Sequence, residues 1–224
     1  SFPPLAPGGP VRSALRRWMY PWAAMVVMQT VRGNEWLQRE IPGARGAVVP
    51  NPCVHPTPAA PPRVDPSDWV DPHDRLLLAV GRLHPAKGFA DLIEAFTLLA
   101  ERFPDWKLVI LGEGDERTLL EERLYSLGLR TRVLLPGRVG NTADWYSRAD
   151  LYVMSSRFEG FPNTLLEAMA YGLPAVSLDC ETGPAEIIRD GVDGRLVSPG
   201  KRVTGLSDVL AELMADRHER RRMG

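Results

Sequence analysis

Neither sign of charge dominates this sequence: 28 acidic side chains against 27 lysines and arginines leave a formal net charge of −1. A chain without an excess of positive charge is not expected to bind nucleic acid. Cysteine is scarce as well. Cys53 and Cys180 are too few and too far apart for a zinc site or a disulfide framework, and they are typical of a reduced, cytoplasmic protein.

Long hydrophobic runs are also missing. No apolar stretch approaches ~20 residues, so no segment is predicted to span a membrane. The four histidines show no ligand spacing, and there is no Asp-x-Asp motif to hold a divalent cation. We therefore expect the site to use neither a metal nor another cofactor.

The chain does have an ordinary share of core-forming residues, 44% hydrophobic against 25% charged, as in a soluble globular protein. Many of its 21 prolines are clustered between positions 50 and 72. Proline fixes φ and removes a hydrogen-bond donor, so we predict a stiff, extended linker over residues 51–73. This linker divides the chain into a first part, residues 1–50, and a second part, residues 74–224.

The first part has the pattern of the end of an α/β lobe. We predict an amphipathic helix over 11–20 and a second helix over 31–40, with short apolar strands at 25–30 and 46–49. The glycine-rich segment 7–9 is predicted to be a turn, because too few residues follow it to complete a lobe.

In the second part, apolar strands alternate with amphipathic helices. The predicted strands are 75–80, 107–111, 133–135, 151–154, 175–177 and 195–197. The predicted helices are 89–102, 116–127, 142–149, 164–171, 185–189 and 206–223. This alternation indicates a parallel sheet covered on both faces. We predict an α/β fold with a Rossmann-like doubly wound parallel sheet, in which ligands bind at the carboxyl ends of the strands.

The loop after the first of these strands contains two cations in a glycine-flanked segment. Arg82 and Lys87 stand between Gly81 and Gly88. Glycine permits close approach of a ligand, while the two cations could neutralise a diphosphate. A solvated basic loop with no ligand is the open alternative.

The next two strand ends give weaker signals. Gly112 and Gly114 imitate a dinucleotide fingerprint, but Arg117 stands where the third glycine belongs, which argues against an NAD-linked oxidoreductase. We expect these glycines to form a tight turn beside a nucleotide. After the third strand, the backbone of Arg138 and Val139 could contact the edge of a base.

The strongest local signal follows the strand at 151–154. A glycine loop leads into a helix whose free amides and dipole would favour an anion. Glu159 precedes this helix and Glu167 lies inside it, and both carboxylates could accept hydrogen bonds from sugar hydroxyls. Neither carboxylate need bind a ligand: Glu159 could instead cap the N-terminus of the helix, and Glu167 could be an exposed residue on its surface. The candidate residues of the turn are Gly160, Phe161, Pro162, Asn163, Thr164 and Leu165.

Gly81-Arg82-x4-Lys87-Gly88 and Glu159-x7-Glu167, in this order, resemble the motifs of family 4 retaining glycosyltransferases with the GT-B fold, also called glycosyl transferases group 1. Further similar segments are Val49-Pro50-Asn51-Pro52, Pro136-Gly137, Ala170-x-Gly172-x-Pro174 and Glu186-Ile187-Ile188. The resemblance identifies residues 74–224 as the donor-binding domain of such an enzyme, and residues 1–50 as a remnant of its N-terminal lobe.

The resemblance implies a hexosyltransferase that moves a sugar from a nucleoside diphosphate sugar, with uridine favoured, to a saccharide or lipid-linked saccharide, and that retains the anomeric configuration. Glu159, Arg82 and Lys87 would be its catalytic residues, with Glu159 facing the donor sugar. Glu167 would hold the ribose. The amides near residues 163–165 would assist the two cations at the diphosphate without a metal.

Two alternatives remain open at this point. The resemblance implies that the acceptor lobe precedes this chain, so the chain by itself is expected to be inactive and could be a nucleotide-sugar-binding piece. A glycoside hydrolase needs two carboxyl groups about 5–10 Å apart, whereas eight residues of helix between Glu159 and Glu167 would span roughly 12 Å.

The last open question concerns membranes. Arg12, Arg16 and Arg17 beside Trp18, Tyr20 and Trp22 resemble an interfacial helix, which would add peripheral contact with the inner face of a membrane. An ordinary packed helix is the alternative.

Overall fold

The computed structural model describes residues 10–224, which contain two parallel sheets. The smaller sheet pairs strand β1 (Val26–Met28) with strand β2 (Gly46–Val48). Helix α2 (Val31–Glu40) connects them and buries Leu37 against a small cluster. Helix α1 (Pro10–Met19) precedes β1, so both predicted helices are confirmed, while the two strands are shorter than predicted. The predicted turn at residues 7–9 lies outside the described residues.

The larger sheet has six strands, all parallel, in the order β5-β4-β3-β6-β7-β8. The strands are β3 (Arg75–Val80), β4 (Trp106–Leu111), β5 (Val133–Gly137), β6 (Leu151–Met154), β7 (Ala175–Leu178) and β8 (Gly194–Val197). This order confirms the predicted Rossmann-like doubly wound sheet. The chain grows outward from β3 in one direction and then continues from β6 in the other, so the switch point lies between β3 and β6.

Helices cover both faces of this sheet. They are α3 (Phe89–Ala100), α4 (Arg117–Ser126), α5 (Thr142–Arg148), α6 (Asn163–Ala170), α7 (Pro184–Ile187), α8 (Thr204–Ala215) and α9 (Arg217–Met223). Alternate residues of one strand enter opposite apolar clusters: Leu77 and Ala79 of β3 join one cluster, whereas Leu76 and Leu78 join the other. Burial on both faces explains why the strands are apolar without interruption.

The proline-rich segment, residues 51–73, is hydrogen-bonded to the second lobe, residues 74–224, which contains the larger sheet. The Ala60 amide donates to the Gly140 carbonyl at 2.7 Å, and the Gly140 amide donates to the Pro62 carbonyl at 2.6 Å. The side chain of Asn141 brackets the backbone of Val64 with bonds of 2.9 and 3.0 Å. Residues predicted as a spacer therefore run along the edge of the second lobe, where they are fixed by specific backbone hydrogen bonds.

The C-terminal helix predicted over 206–223 is wrong in one respect, since it is broken into α8 and α9 at Asp216. The backbone of Asp216 is extended, with φ −106° and ψ 97°, and its carboxylate accepts a hydrogen bond of 2.9 Å from the Glu219 amide. An aspartate that caps the second helix stops the first.

Arg220 holds the two helices together. Its side chain is buried, donates to the carbonyls of Leu213 and Met214 at the end of α8, and lies 5.0 Å from the centre of the Trp106 ring. Burial lowers the pKa of this guanidinium, and the negative charges of Asp150 and Asp216 partly oppose that change. The basic stretch at the C-terminal end is therefore partly a core element.

We expect Arg220→Ala to lower the free energy of unfolding by about 2–3 kcal/mol, because it removes charge-assisted hydrogen bonds and a cation–π contact from a buried position. Urea unfolding measures this change. Arg221→Ala, at an exposed position of the same helix, is the matched control and should change stability by less than about 0.5 kcal/mol. Equal effects of the two substitutions would contradict the assigned role of Arg220.

Candidate functional site

The loops that follow β3 and β6 meet at the switch point of the sheet. The ammonium group of Lys87 lies 2.5 Å from Glu159 Oε1, although 72 residues separate them in the sequence. Both side chains are largely buried, with 26% of Lys87 and 11% of Glu159 exposed. The backbones also interlock, since Ser155 Oγ donates to the Lys87 carbonyl at 2.8 Å. The structure thus brings the predicted cation and the predicted carboxylate into one place.

Glu159 is held on one side only. Its Oε1 atom accepts from Lys87 and from Ser156 Oγ, the latter at 2.6 Å, and its backbone carbonyl accepts from Thr182 Oγ1 at 2.5 Å. Within residues 10–224, no hydrogen bond reaches Glu159 Oε2. One carboxylate oxygen is therefore fixed by the protein and the other is available to a ligand hydroxyl.

Arg82 is the second cation of this loop. It is exposed and forms no ion pair or side-chain hydrogen bond with any described residue. Gly112 and Gly114 pack directly against the backbone of this loop. A Cβ on Gly112 would lie 1.8 Å from the Gly81 carbonyl oxygen, and one on Gly114 would lie 2.2 Å from the Leu83 carbonyl oxygen. The Gly-x-Gly turn is therefore packed against the cation loop, which only glycine permits at this separation.

The expectation of free amides along residues 163–165 needs a correction. The Asn163 amide donates to the Phe161 carbonyl at 3.1 Å, and the Leu165 amide donates to the Pro162 carbonyl at 3.1 Å. Thr164 is the one residue of the three whose amide has no partner in the described part of the chain. The tight first turn uses the neighbouring donors internally, so one of these three helix amides and not all three is without a partner among the described residues.

Glu167 is anchored inside the second lobe and is not an exposed helix residue. Tyr146 OH, itself buried, donates to Glu167 Oε2 at 3.0 Å. Burial raises the pKa of Glu167, and the hydrogen bond from Tyr146 opposes that change. Tyr152, on β6, donates to Thr164 Oγ1 at 2.9 Å. Two buried tyrosines therefore set the orientation of α6.

Arg138 and Val139 follow β5, on the far side of the Gly-x-Gly turn. The Gly112 amide donates to the Gly137 carbonyl at 2.9 Å, which fixes the start of this segment. Arg138 is exposed, and Val139 packs on an apolar cluster. The backbone groups of these two residues form no hydrogen bond with the described residues, so they remain available to a base.

The first lobe also reaches the site, through Gln29, which no motif indicated, and through Asn51 of the Val49-Pro50-Asn51-Pro52 segment. Gln29 Nε2 donates to Asn51 Oδ1 at 2.5 Å, and Asn51 Nδ2 donates to Asn163 Oδ1 at 2.9 Å. A cavity of about 560 Å³ opens beside this chain of amides, between the ends of β1 and β2 and Gly160. This cavity is lined by Gly160, the residue that follows the predicted sugar carboxylate, Glu159.

Across residues 10–224, no cluster of three or more His, Cys, Asp or Glu side chains could hold a metal ion. None of the helices in the same range has the length and hydrophobicity needed to cross a membrane. The thiol of Cys180, near Glu159, is buried, which raises its pKa to about 11.

Comparison with known proteins gives a family match over most of the chain. The family model described as glycosyl transferases group 1 matches residues 67–224. An exopolysaccharide phosphotransferase from Streptomyces coelicolor is 36% identical over 196 residues, which cover 86% of this chain and 20% of that protein. The chain spans less than half the length of the curated relatives it matches.

Solved structures agree with this match. The C-terminal domain of a glycosyl transferase group 1 family protein from Francisella tularensis superposes with a TM-score of 0.65 at 26% identity, covering 77% of this chain and 92% of that one. The HepE protein of Anabaena, solved in complex with UDP, gives a TM-score of 0.80 at 20% identity and covers 95% of this chain and 60% of that one. The latter similarity concerns the fold.

The raised pKa of Glu167 predicts a pH dependence of stability. The folded chain binds a proton at Glu167 more readily than the unfolded chain, so the free energy of unfolding should fall as pH rises above the ordinary value of 4.5. Glu167→Gln imitates the protonated form and should lack this loss. The stability of the wild type minus that of the variant therefore becomes more negative with rising pH.

Urea unfolding of both proteins between about pH 4 and about pH 8 measures this difference. Glu122→Gln, at an exposed position of α4, is the control and should give a difference that does not vary with pH. A difference that grows more positive with pH for Glu167→Gln would show that burial is not the dominant influence.

Proposed function

Because the chain belongs to the glycosyl transferases group 1 family, we propose that its second lobe binds a nucleoside diphosphate sugar as the donor of a retaining glycosyltransferase. The observation that carries this proposal is the meeting of Lys87 and Glu159 at 2.5 Å, where the carboxyl ends of β3 and β6 adjoin. A cation for the diphosphate and a carboxylate for the sugar then stand side by side.

The main barrier to such a transfer is the charge that builds on the departing diphosphate. Arg82 and Lys87 lie in one loop, and the unpartnered amide of Thr164 lies at the positive end of α6. Preorganised donors of this kind stabilise developing charge, and losing one costs about 3 kcal/mol in comparable oxyanion sites. We propose that these groups act without a metal ion.

Glu159 would orient the donor sugar. Its Oε1 atom is occupied by Lys87 and Ser156, so Oε2 is the atom that would accept from a sugar hydroxyl. The negative charge would also favour an oxocarbenium-like transition state. In a retaining transfer, the acceptor attacks on the face that the diphosphate leaves, and the cavity beside Gly160 would admit it there.

The nucleoside would extend toward β5. The ribose hydroxyls would donate to Glu167, whose Oε2 is already held by Tyr146. The base would meet the free backbone groups of Arg138 and Val139. Uridine is favoured, in agreement with the UDP complex of the HepE protein, and a saccharide or lipid-linked saccharide is the acceptor class. The alternative is a chain that binds a nucleotide sugar without transferring it.

We expect the chain to bind UDP by calorimetry, and we expect both Arg82→Ala and Lys87→Ala to weaken this binding by about tenfold or more, because each removes a charge-assisted contact to phosphate. Lys107→Ala is the matched control. It removes one positive charge at the amino end of β4, where Lys107 bonds the Thr131 carbonyl at 2.9 Å, and should leave the affinity unchanged within about twofold.

A folded chain that gives no heat with either UDP or GDP would overturn the donor-binding assignment.

In the complete protein, the released nucleotide identifies the reaction. Glycosyl transfer breaks the bond between the anomeric carbon and the diphosphate oxygen and releases UDP. Transfer of a sugar phosphate, the kind of reaction suggested by the name of the Streptomyces relative, would break the anhydride bond and release UMP.

We further propose that α1 contacts a membrane surface. Its apolar side chains and those of the turn after it are exposed: Val11, Leu15, Trp18, Met19 and Trp22. Arg12, Arg16 and Arg17 accompany them, and the helix contains no acidic residue. Exposed tryptophans beside arginines suit the interface of an anionic bilayer.

The wild-type chain should therefore sediment with vesicles of phosphatidylcholine and phosphatidylglycerol, and much less with phosphatidylcholine alone. Trp22→Ser should reduce sedimentation several-fold because it removes an aromatic anchor. Trp69→Ser, which removes a partly exposed tryptophan of the second lobe, should have no effect. Failure of the wild type to sediment with either lipid would exclude membrane contact.

A further inference from the structure

The first turn of α2 obtains half of its hydrogen bonds from the other lobe. The four N-terminal amides of a helix have no partner within it. In α2, the Gly33 amide bonds Thr30 Oγ1 and the Asn34 amide bonds the Thr30 carbonyl, each at 3.1 Å. The remaining two belong to Val31 and Arg32, and Thr30 does not serve them.

Glu186, on α7 of the second lobe, accepts from both of these amides. Its Oε2 lies 2.7 Å from the Val31 nitrogen and its Oε1 lies 3.1 Å from the Arg32 nitrogen. A carboxylate at the N-terminus of a helix is also stabilised by the helix dipole. The guanidinium of Arg32 returns the contact by donating to the Glu181 carbonyl at 3.0 Å. The segment 181–186 is thus attached to α2 at both ends.

The same segment rests on the loop that carries Glu159. Thr182 Oγ1 donates to the Glu159 carbonyl at 2.5 Å. Gly183 has φ +103°, and a Cβ there would lie 2.6 Å from Pro162 Cδ. Only glycine fits this position, so the two segments are packed closely against each other. A continuous path of bonded groups therefore runs from α2, through Glu186 and Thr182, to Glu159.

From this path we infer that Glu186 is a positioning residue, which couples the orientation of the first lobe to the loop of Glu159. The inference rests on the proposed function, because it gives the coupling a purpose: an acceptor held by the first lobe must meet a donor sugar held by Glu159. Glu186 itself does not touch the donor site. It acts through the 181–186 segment, and Asn51 adds a second tie between the lobes at Asn163.

The test compares the wild type with Glu186→Gln and with the control Glu181→Gln. Glu181 contributes its backbone carbonyl to the contact with Arg32, so its substitution removes an equal charge from the same segment and leaves the path intact. Amide hydrogen exchange is measured by NMR without any ligand. The reporters are Val31 and Arg32 on α2, and Arg157 and Leu165, which flank the Glu159 loop and bond the carbonyls of Ala86 and Pro162 at 2.8 and 3.1 Å.

In Glu186→Gln, we expect exchange of Val31 and Arg32 to accelerate about fivefold, and exchange of Arg157 and Leu165 to accelerate about twofold. The Gly160 amide resonance should also shift, which a role confined to holding α2 would not cause. Glu181→Gln should match the wild type. Faster exchange at α2 with no change at Arg157, Leu165 and Gly160 would overturn the coupling, and unchanged exchange at Val31 would remove the contact itself.

A separate UDP titration keeps the two proposals distinguishable. The affinity of Glu186→Gln for UDP should equal that of the wild type within about twofold, since the cations that bind the diphosphate lie elsewhere in the second lobe. If the wild type does not bind UDP, the proposed function fails, while the exchange data still decide the coupling. A variant that loses UDP binding altogether would show Glu186 to be part of the binding site, contrary to the positioning role.

Discussion

The ion pair between Lys87 and Glu159 is the contact on which the site depends, because it joins two loops that come from different halves of the chain. At 2.5 Å and with little exposure of either side chain, it lies in a medium less polarisable than water. A buried pair gains little stability over an apolar contact, since both charges must be desolvated. Its value here is geometric: the two charges fix each other at the point where a nucleotide sugar would present its phosphate and its sugar.

The parallel sheet makes that meeting unavoidable. Six parallel strands place all their carboxyl ends along one edge, and the reversal of strand order between β3 and β6 leaves a crevice between the loops that follow them. Close packing of loop on loop then requires residues without side chains. Gly88 has φ +64°, and its Cβ position lies 2.3 Å from the Ser155 carbonyl oxygen. The backbone of the cation loop can approach the Glu159 loop only because of this glycine.

The sequence was sufficient for those features that follow from periodicity and topology. Helix α2 and strands β3 and β6 have the predicted limits, and the contact of Lys87 with Glu159 follows from placing both at neighbouring strand ends. Features that depend on tertiary contacts could not be predicted from the sequence. The burial of Arg220, which holds α8 and α9 together across the break at Asp216, is indicated by no period. The hydrogen bonds within the turn at Asn163 depend on turn geometry. The hydrogen bond from Tyr146 to Glu167 and those from α2 to Glu186 join residues that are far apart in the sequence.

Lys87 has enough hydrogen-bond donors to contact both Glu159 and a diphosphate. An ammonium group has three N–H donors, and Lys87 uses one of them on Glu159. The other two can face a diphosphate, to which Arg82 brings a full positive charge that no described carboxylate neutralises. A phosphate group beside Lys87 would reduce the hold of the lysine on Glu159 through competition for the same charge. Under the proposed function, Glu159 Oε2, which accepts no hydrogen bond from the described residues, would face the sugar while Lys87 meets the diphosphate, so a single ion pair would link the binding of one half of the donor to the orientation of the other.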